Sequence, residues 1–131
     1  MSLITSTSPA VPSSDLVVDV AIVGGGPAGL MAADVLSQAG VHVHLFDAMP
    51  SVGRKFLLAG RGGLNLTHSE DAASFRQRYG EKAGEVGRWL DGMDAQGVRD
   101  WAHTLGIETF VGTSGRVFPT EMKAAPLLRV W

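Results

Sequence analysis

Three glycines in the run Gly24-Gly25-Gly26-Pro27-Ala28-Gly29 give the spacing G-x-G-x-x-G, and an acid, Asp47, stands 18 positions beyond the last of them. Such a run, placed between a strand and a helix, lays backbone N–H groups against a pyrophosphate. Gly24 permits a tight turn off the strand, Gly26 removes the Cβ that would stand in the phosphate's way, and Gly29 lets the helix lie close to the sheet. Pro27 at the first helical position has no N–H to leave unpaired, and with Ala28 it opens a helix whose free N–H groups and partial positive charge suit an anion. Asp47 can accept hydrogen bonds from both hydroxyls of an adenosine ribose, and its charge repels a 2′-phosphate. The chemistry predicted is the binding of a dinucleotide other than NADP.

A second set of candidates follows Asp47. Residues 48–68 hold Arg54, Lys55 and Arg61, no acid, and glycines at 53, 60, 62 and 63. Arg54 and Lys55 can pair with phosphate or ribose oxygens. Extra positive charge beside a pyrophosphate that already has a helix N-terminus favours a longer, fixed cofactor, with an NAD-binding module as the alternative.

The remaining chemistry-bearing residues offer less. With no Cys in the chain, a disulfide framework, a thiol nucleophile and Cys-based zinc or iron–sulfur sites are excluded. His42 and His44 share one face of a strand but have no recognisable third ligand, so no metal is predicted. Trp89, Trp101 and Trp131 lie on helical patterns where packing is the expected role. His103 is read as solvated, and Ser114-Gly115 as a turn rather than a nucleophile elbow. No catalytic acid, base or nucleophile is assigned.

The elements that must position these residues follow from periodicity. Leu16–Val23 (LVVDVAIV) is a β-branched run of strand length that suits a strand covered on both faces. Pro27–Ala39 reads as a mostly buried helix closed by Gly40, and Val41–Asp47 as a second strand, parallel to the first by the right-handed crossover rule. Met49–Leu66 reads as one long connection. Thr67-His68-Ser69-Glu70 matches a capping box, which predicts a helix from Ser69 to Tyr79. Helices over Glu81–Leu90 and Ala95–Leu105 follow, then a hairpin of Ile107–Val111 and Arg116–Phe118, then a helix starting near Pro126.

Composition bounds the rest. The 131 residues are 45% hydrophobic and 18% charged, with mean hydropathy +0.14, the make-up of one globular domain. A net charge of -2 gives neither the basic footprint of a nucleic-acid binder nor a polybasic membrane patch. Residues 1–15 are rich in Ser, Thr and Pro and carry no Lys or Arg, so they read as a flexible leader and not a signal peptide, with a cytoplasmic address by default. Residues 16–131 are then the dinucleotide-binding portion.

Four ordered motifs carry a resemblance: Gly24–Leu30 (GGGPAGL), Gly53-Arg54-Lys55, the run Ala59–His68 (AGRGGLNLTH), and Gly115–Pro119 (GRVFP) with Lys123-Ala124. Together they resemble the amino-terminal part of the HI0933-like flavoproteins, also called the aminoacetone oxidase family. The resemblance implies an α/β, Rossmann-like βαβ fold of the glutathione-reductase type, here incomplete, with added helices and a hairpin. It implies a flavin-dependent oxidoreductase with FAD as cofactor and no assigned small-molecule substrate. Gly24, Gly26 and Gly29 would then line the pyrophosphate, Asp47 would hold the ribose, Arg54 and Lys55 would lie along the adenosine diphosphate half, and Gly60, Gly62 and Asn65 would run toward the flavin. Many family members have Ser-Gly-x-Gly-Arg-Cys-Asn-x-Thr-Asn where this chain has Ala59, Gly63, Leu64 and His68 at the Ser, Arg, Cys and final Asn positions. Family members are also much longer. The chain is therefore read as a fragment, inactive by itself, with a non-catalytic nucleotide-binding or interaction domain as a further alternative. Its last residues, Leu127, Leu128, Val130 and Trp131, are expected to lack covering elements and to favour self-association.

Overall fold

The computed structural model describes residues 17–59 and 62–131. The predicted leader lies outside them. Strand β1 (Val20–Val23) leads through the glycine loop into helix α1 (Pro27–Gln38), and strand β2 (Val43–Phe46) returns parallel to β1, with Val20 opposite Val43 and Val23 opposite Phe46. Both strands are shorter than predicted. Helix α1 closes as the sequence predicts. Gly40 takes φ +79°, its N–H bonds the Ser37 carbonyl, and the Val41 N–H reaches the Leu36 carbonyl. That pair of bonds satisfies carbonyls the helix end would leave open.

The expected covering of this unit is not what the structure shows. No residue of α1 is buried, and Val35 is 59% exposed. Leu30 and Ala33 of α1 share a hollow with Val43 and Leu45, so α1 covers one face of the strand pair. Alternation then turns Ala21, Val23, His44 and Phe46 to the other face. Val23 is 89% exposed and Phe46 47%, with the tilted His44 ring 4.8 Å from the Phe46 ring, so that face is largely open.

The connection after Asp47 is not one structureless loop. It contains a short helix, α2 (Arg54–Ala59), so Arg54 and Lys55 sit at a helix start. Thr67 and His68 form strand β3, not a capping box. The physical reason is tertiary pairing. Thr67 is buried opposite Val117, His68 lies opposite Arg116, and the Ser69 N–H bonds the Gly115 carbonyl. Helix α3 (Ala72–Gln77) starts three residues later than predicted, where Asp71 accepts hydrogen bonds from the Ser74 N–H at 3.0 Å and the Ser74 hydroxyl at 2.7 Å. A 3-10 turn over Gly80–Lys82 precedes α4 (Ala83–Leu90), and Asp94 caps α5 (Ala95–Thr104) by accepting the Gly97 N–H.

The hairpin forms as predicted from β4 (Thr109–Val111) and β5 (Arg116–Pro119), and β3 joins it to make an antiparallel sheet ordered β3-β5-β4. Helix α6 (Ala124–Val130) starts two residues before Pro126. A proline is tolerated there because the N–H groups of a first helical turn have no intrahelical acceptor.

The core lies at this end of the molecule. Leu64, Ala124 and Leu127 are buried together, with Phe56, Leu66, Trp101, Leu105 and Ile107 packed around them. The predicted exposure of the last residues is corrected accordingly. Leu127 is fully buried, Leu128 packs over Gly53, and Trp131 meets Trp101 edge to face at 4.8 Å. Its indole N–H also reaches the Asp34 carboxylate of α1 at 3.3 Å. Of the four apolar residues at the end, only Val130 is exposed; Trp89, predicted to pack, is 67% exposed.

Candidate functional site

A cleft opens where the carboxyl ends of β1 and β2 meet the start of α1, lined by Gly24, Gly25, Gly26, Pro27, Asp47, Met49, Ser51, Arg54 and Lys55. In an open α/β sheet this is the end at which ligands bind. The three glycines of the spacing do different work there. Gly24 has φ +104°, a left-handed conformation that side chains rarely adopt. A Cβ on Gly29 would stand 1.9 Å from the Gly24 carbonyl oxygen, so only glycine lets α1 come this close to the end of β1. A Cβ on Gly26 would meet nothing within 4 Å. Neither backbone strain nor packing demands a glycine at position 26, and the space beside it is open toward the cleft.

Asp47 directly follows β2, and its carboxylate is already held. One oxygen accepts the Gly25 N–H at 2.6 Å and the other accepts the Met49 N–H at 2.7 Å. Those two N–H groups, Met49 foremost, hold the Asp47 carboxyl below the usual carboxylate range, against a small opposing desolvation. Each oxygen keeps a lone pair for a further donor such as a hydroxyl.

Arg54 and Lys55 are the first two residues of α2 and are exposed. Cations at a helix start oppose the helix dipole, and among the described residues neither has a carboxylate within 4 Å. Local helix stability therefore does not account for their placement. They leave uncompensated positive charge on the rim across from the glycine loop.

The structure thus brings together Gly24, Gly26, Pro27, Asp47, Arg54 and Lys55. Ala28 and Gly29 stand in the first turn of α1 and outside the lining. Gly62 and Asn65 also lie outside it, and Gly60 falls outside the described residues. The Asn65 amide, with its NH2 group turned to donate, bonds the Thr67 carbonyl at 2.8 Å and the Val117 carbonyl at 3.2 Å, which holds the start of β3 to β5. Sequence reasoning gave no role to Gly25, Met49 and Ser51, which line the cleft, nor to Gly53. Gly25 is buried because Val52 fills the place of its Cβ, a Cβ there lying 2.5 Å from Val52 Cγ1 and 3.0 Å from the Asp47 carboxylate. Gly53 carried a signal, since it stands immediately before Arg54-Lys55 in one of the recurring motifs.

Comparison with known proteins agrees with this architecture. The family model for the HI0933-like protein Rossmann domain matches residues 18–131. Relatives include an Escherichia coli (strain K12) protein named "Putative oxidoreductase UacF", 50% identical over 35% of this chain and 7% of its own. The chloroplastic lycopene beta cyclase of Nicotiana tabacum is 54% identical over 31% of this chain and 8% of its own. The thiamine thiazole synthase of Methanosarcina acetivorans is 38% identical over 48% of this chain and 24% of its own. The chain therefore spans no more than about a quarter of the length of these three relatives.

Proposed function

The chain belongs to the HI0933-like Rossmann-domain family, and from that premise we propose that its cleft binds the adenosine diphosphate half of FAD for a flavin-dependent oxidoreductase. One observation carries the proposal: open space at Gly26, the held carboxylate of Asp47 and the unpaired cations Arg54 and Lys55 all border one cleft. The residues fit the group in charge and shape. The absent Cβ at Gly26 leaves room for a pyrophosphate against backbone, and the start of α1 directs free N–H groups at it. The two oxygens of Asp47 accept the ribose hydroxyls, while the carboxylate charge disfavours a 2′-phosphate at the same place. Arg54 and Lys55 neutralise the phosphates from the other rim.

When bound, the flavin supplies the hydride chemistry. This chain contributes position and electrostatics: Gly24 turns the backbone, Pro27 and Ala28 start the helix that faces the anion, and Gly29 sets that helix against β1. By the resemblance, Gly60, Gly62 and Asn65 would serve the ring end of the same cofactor, and Gly62 and Asn65 lie outside the lining of the adenosine cleft. The name of the Escherichia coli relative supports redox chemistry for the whole protein.

Calorimetric titration of the chain with ADP, FAD and the 2′-phosphorylated form of ADP tests the reading. ADP and FAD bind, and the 2′-phosphate weakens ADP binding by about tenfold or more, the scale of one unfavourable charge contact. A folded chain that binds neither ADP nor FAD overturns it.

A further inference from the structure

We infer that Gly53, which no family role here assigns, is a positioning residue for the phosphate-binding loop and aims the Gly26 N–H into the cleft; the inference rests on the adenosine diphosphate reading above. The peptide joining Gly25 to Gly26 is trans, so its C=O and N–H point in opposite directions. The Gly25 carbonyl accepts the Gly53 N–H at 2.7 Å. The Gly26 N–H at the other side of that plane must therefore point away from Gly53, and among the described residues it has no acceptor. The preceding peptide is fixed as well, because the Gly25 N–H donates to Asp47. Two adjacent peptide planes of the glycine loop are thus held from outside the loop, one by the acid after β2 and one by the residue before α2.

Gly53 is suited to this by conformation and by room. Its φ is +70°, it is buried, and its carbonyl accepts the Leu57 N–H as α2 begins. A Cβ there would lie 2.5 Å from the Leu128 side chain. The cleft is consequently linked through Gly53 to α6, 75 residues further along the chain. A residue that cannot keep the left-handed conformation rotates the 53 peptide, releases the Gly25 carbonyl and lets the Gly26 N–H turn from the ligand.

The test separates this orienting role from simple packing. In a Leu128→Ala background, which removes the obstructing atoms, Gly53→Asn is compared with Gly53→Val. Asparagine tolerates positive φ, and a β-branched residue does not. Titration with ADP and with adenosine then reports on the phosphate contact alone. The background and the Asn variant keep the parent's ratio of ADP to adenosine affinity. The Val variant loses about tenfold to a hundredfold in ADP affinity, the range for one charge-assisted hydrogen bond, with adenosine unchanged. Equal loss for both ligands, or no loss, overturns the inference, whereas a parent that binds no ADP overturns the underlying reading instead. Should the Val variant fail to fold, amide spectra of the parent decide: added ADP shifts the Gly26 amide strongly and leaves the Gly53 amide, bonded to the Gly25 carbonyl, slow to exchange. A Gly26 amide indifferent to bound ADP refutes it.

Discussion

The carboxylate of Asp47 accepts the Gly25 N–H at 2.6 Å across 22 residues of chain, so the acid after β2 and the glycine loop after β1 form one unit before any ligand arrives. A second bond, from the Met49 N–H to the other oxygen, prevents the carboxylate from rotating freely. Preorganisation of this kind lowers the ordering cost of binding.

Asp47 sets the acid limb of binding. Its pKa in the folded chain lies below the unfolded value because the N–H groups of Met49 and then Gly25 favour the charged form. The stabilisation is present above the unfolded pKa and is lost as pH falls through the folded one. Asp47 therefore stays charged through neutral and mildly acidic pH, and its contribution to ADP affinity declines only as pH falls below the ordinary carboxylate range. Asp47→Asn weakens ADP binding about tenfold to a hundredfold, the scale of lost charge-assisted bonds, and flattens that limb. A titration series across pH for both proteins checks the pair of statements, and an acid limb that survives in the variant assigns it to another group.

Gly26 and Gly29 are predicted to fail in opposite ways. A side chain at 26 meets open space, so Gly26→Val leaves the melting temperature close to the parent's while ADP binding drops below detection. A methyl at 29 collides with the Gly24 carbonyl at 1.9 Å. Gly29→Ala therefore destabilises the fold by about 1–3 kcal/mol, the usual range for overpacking. Melting curves beside calorimetric titrations distinguish them, and parallel losses of both properties in both variants would contradict the division of labour.

The sequence made the βαβ unit legible because its rules are local: a β-branched run, a glycine turn, a proline at the helix start and a glycine at its end each act within a few residues. The gathering of Gly24, Gly26 and Asp47 was legible from the fingerprint spacing, and that of Arg54 and Lys55 from the one-sided charge after Asp47 and the Gly53-Arg54-Lys55 motif. The capping box at Thr67 failed because its competitor, strand pairing with β5, comes from about 50 residues away. Gly25 and Gly53 were given no individual role because their constraints, Val52 and Leu128, are tertiary. The predicted burial of α1 rested on composition, and composition cannot say whether the partner surface lies among these residues.

Asp94 is expected to matter for stability alone. Its side chain accepts the Gly97 N–H at 2.8 Å and caps α5, the helix that carries Trp101 and the fully buried Ala102 into the core. Asp94→Ala costs about 1 kcal/mol, as helix caps do, without changing ADP affinity. Chemical denaturation and titration measure the two separately.

Leu127 marks where cohesion resides. It is fully buried beside Leu64 and Ala124, whereas α1, which carries the ligand-facing helix start, buries no residue at all. Leu127→Ala therefore removes about 2–5 kcal/mol through lost transfer energy and the cavity left behind. Val35→Ala, on the exposed side of α1 at 59% exposure, changes stability by less than about 0.5 kcal/mol. If the cleft depends on the core only through Gly53 and Leu128, then saturating ADP adds the same unfolding free energy to both variants, read by chemical denaturation, since a ligand stabilises by its affinity and concentration alone. A smaller increment for Leu127→Ala would show that the packing of α6 reaches the glycine loop by more than that one contact.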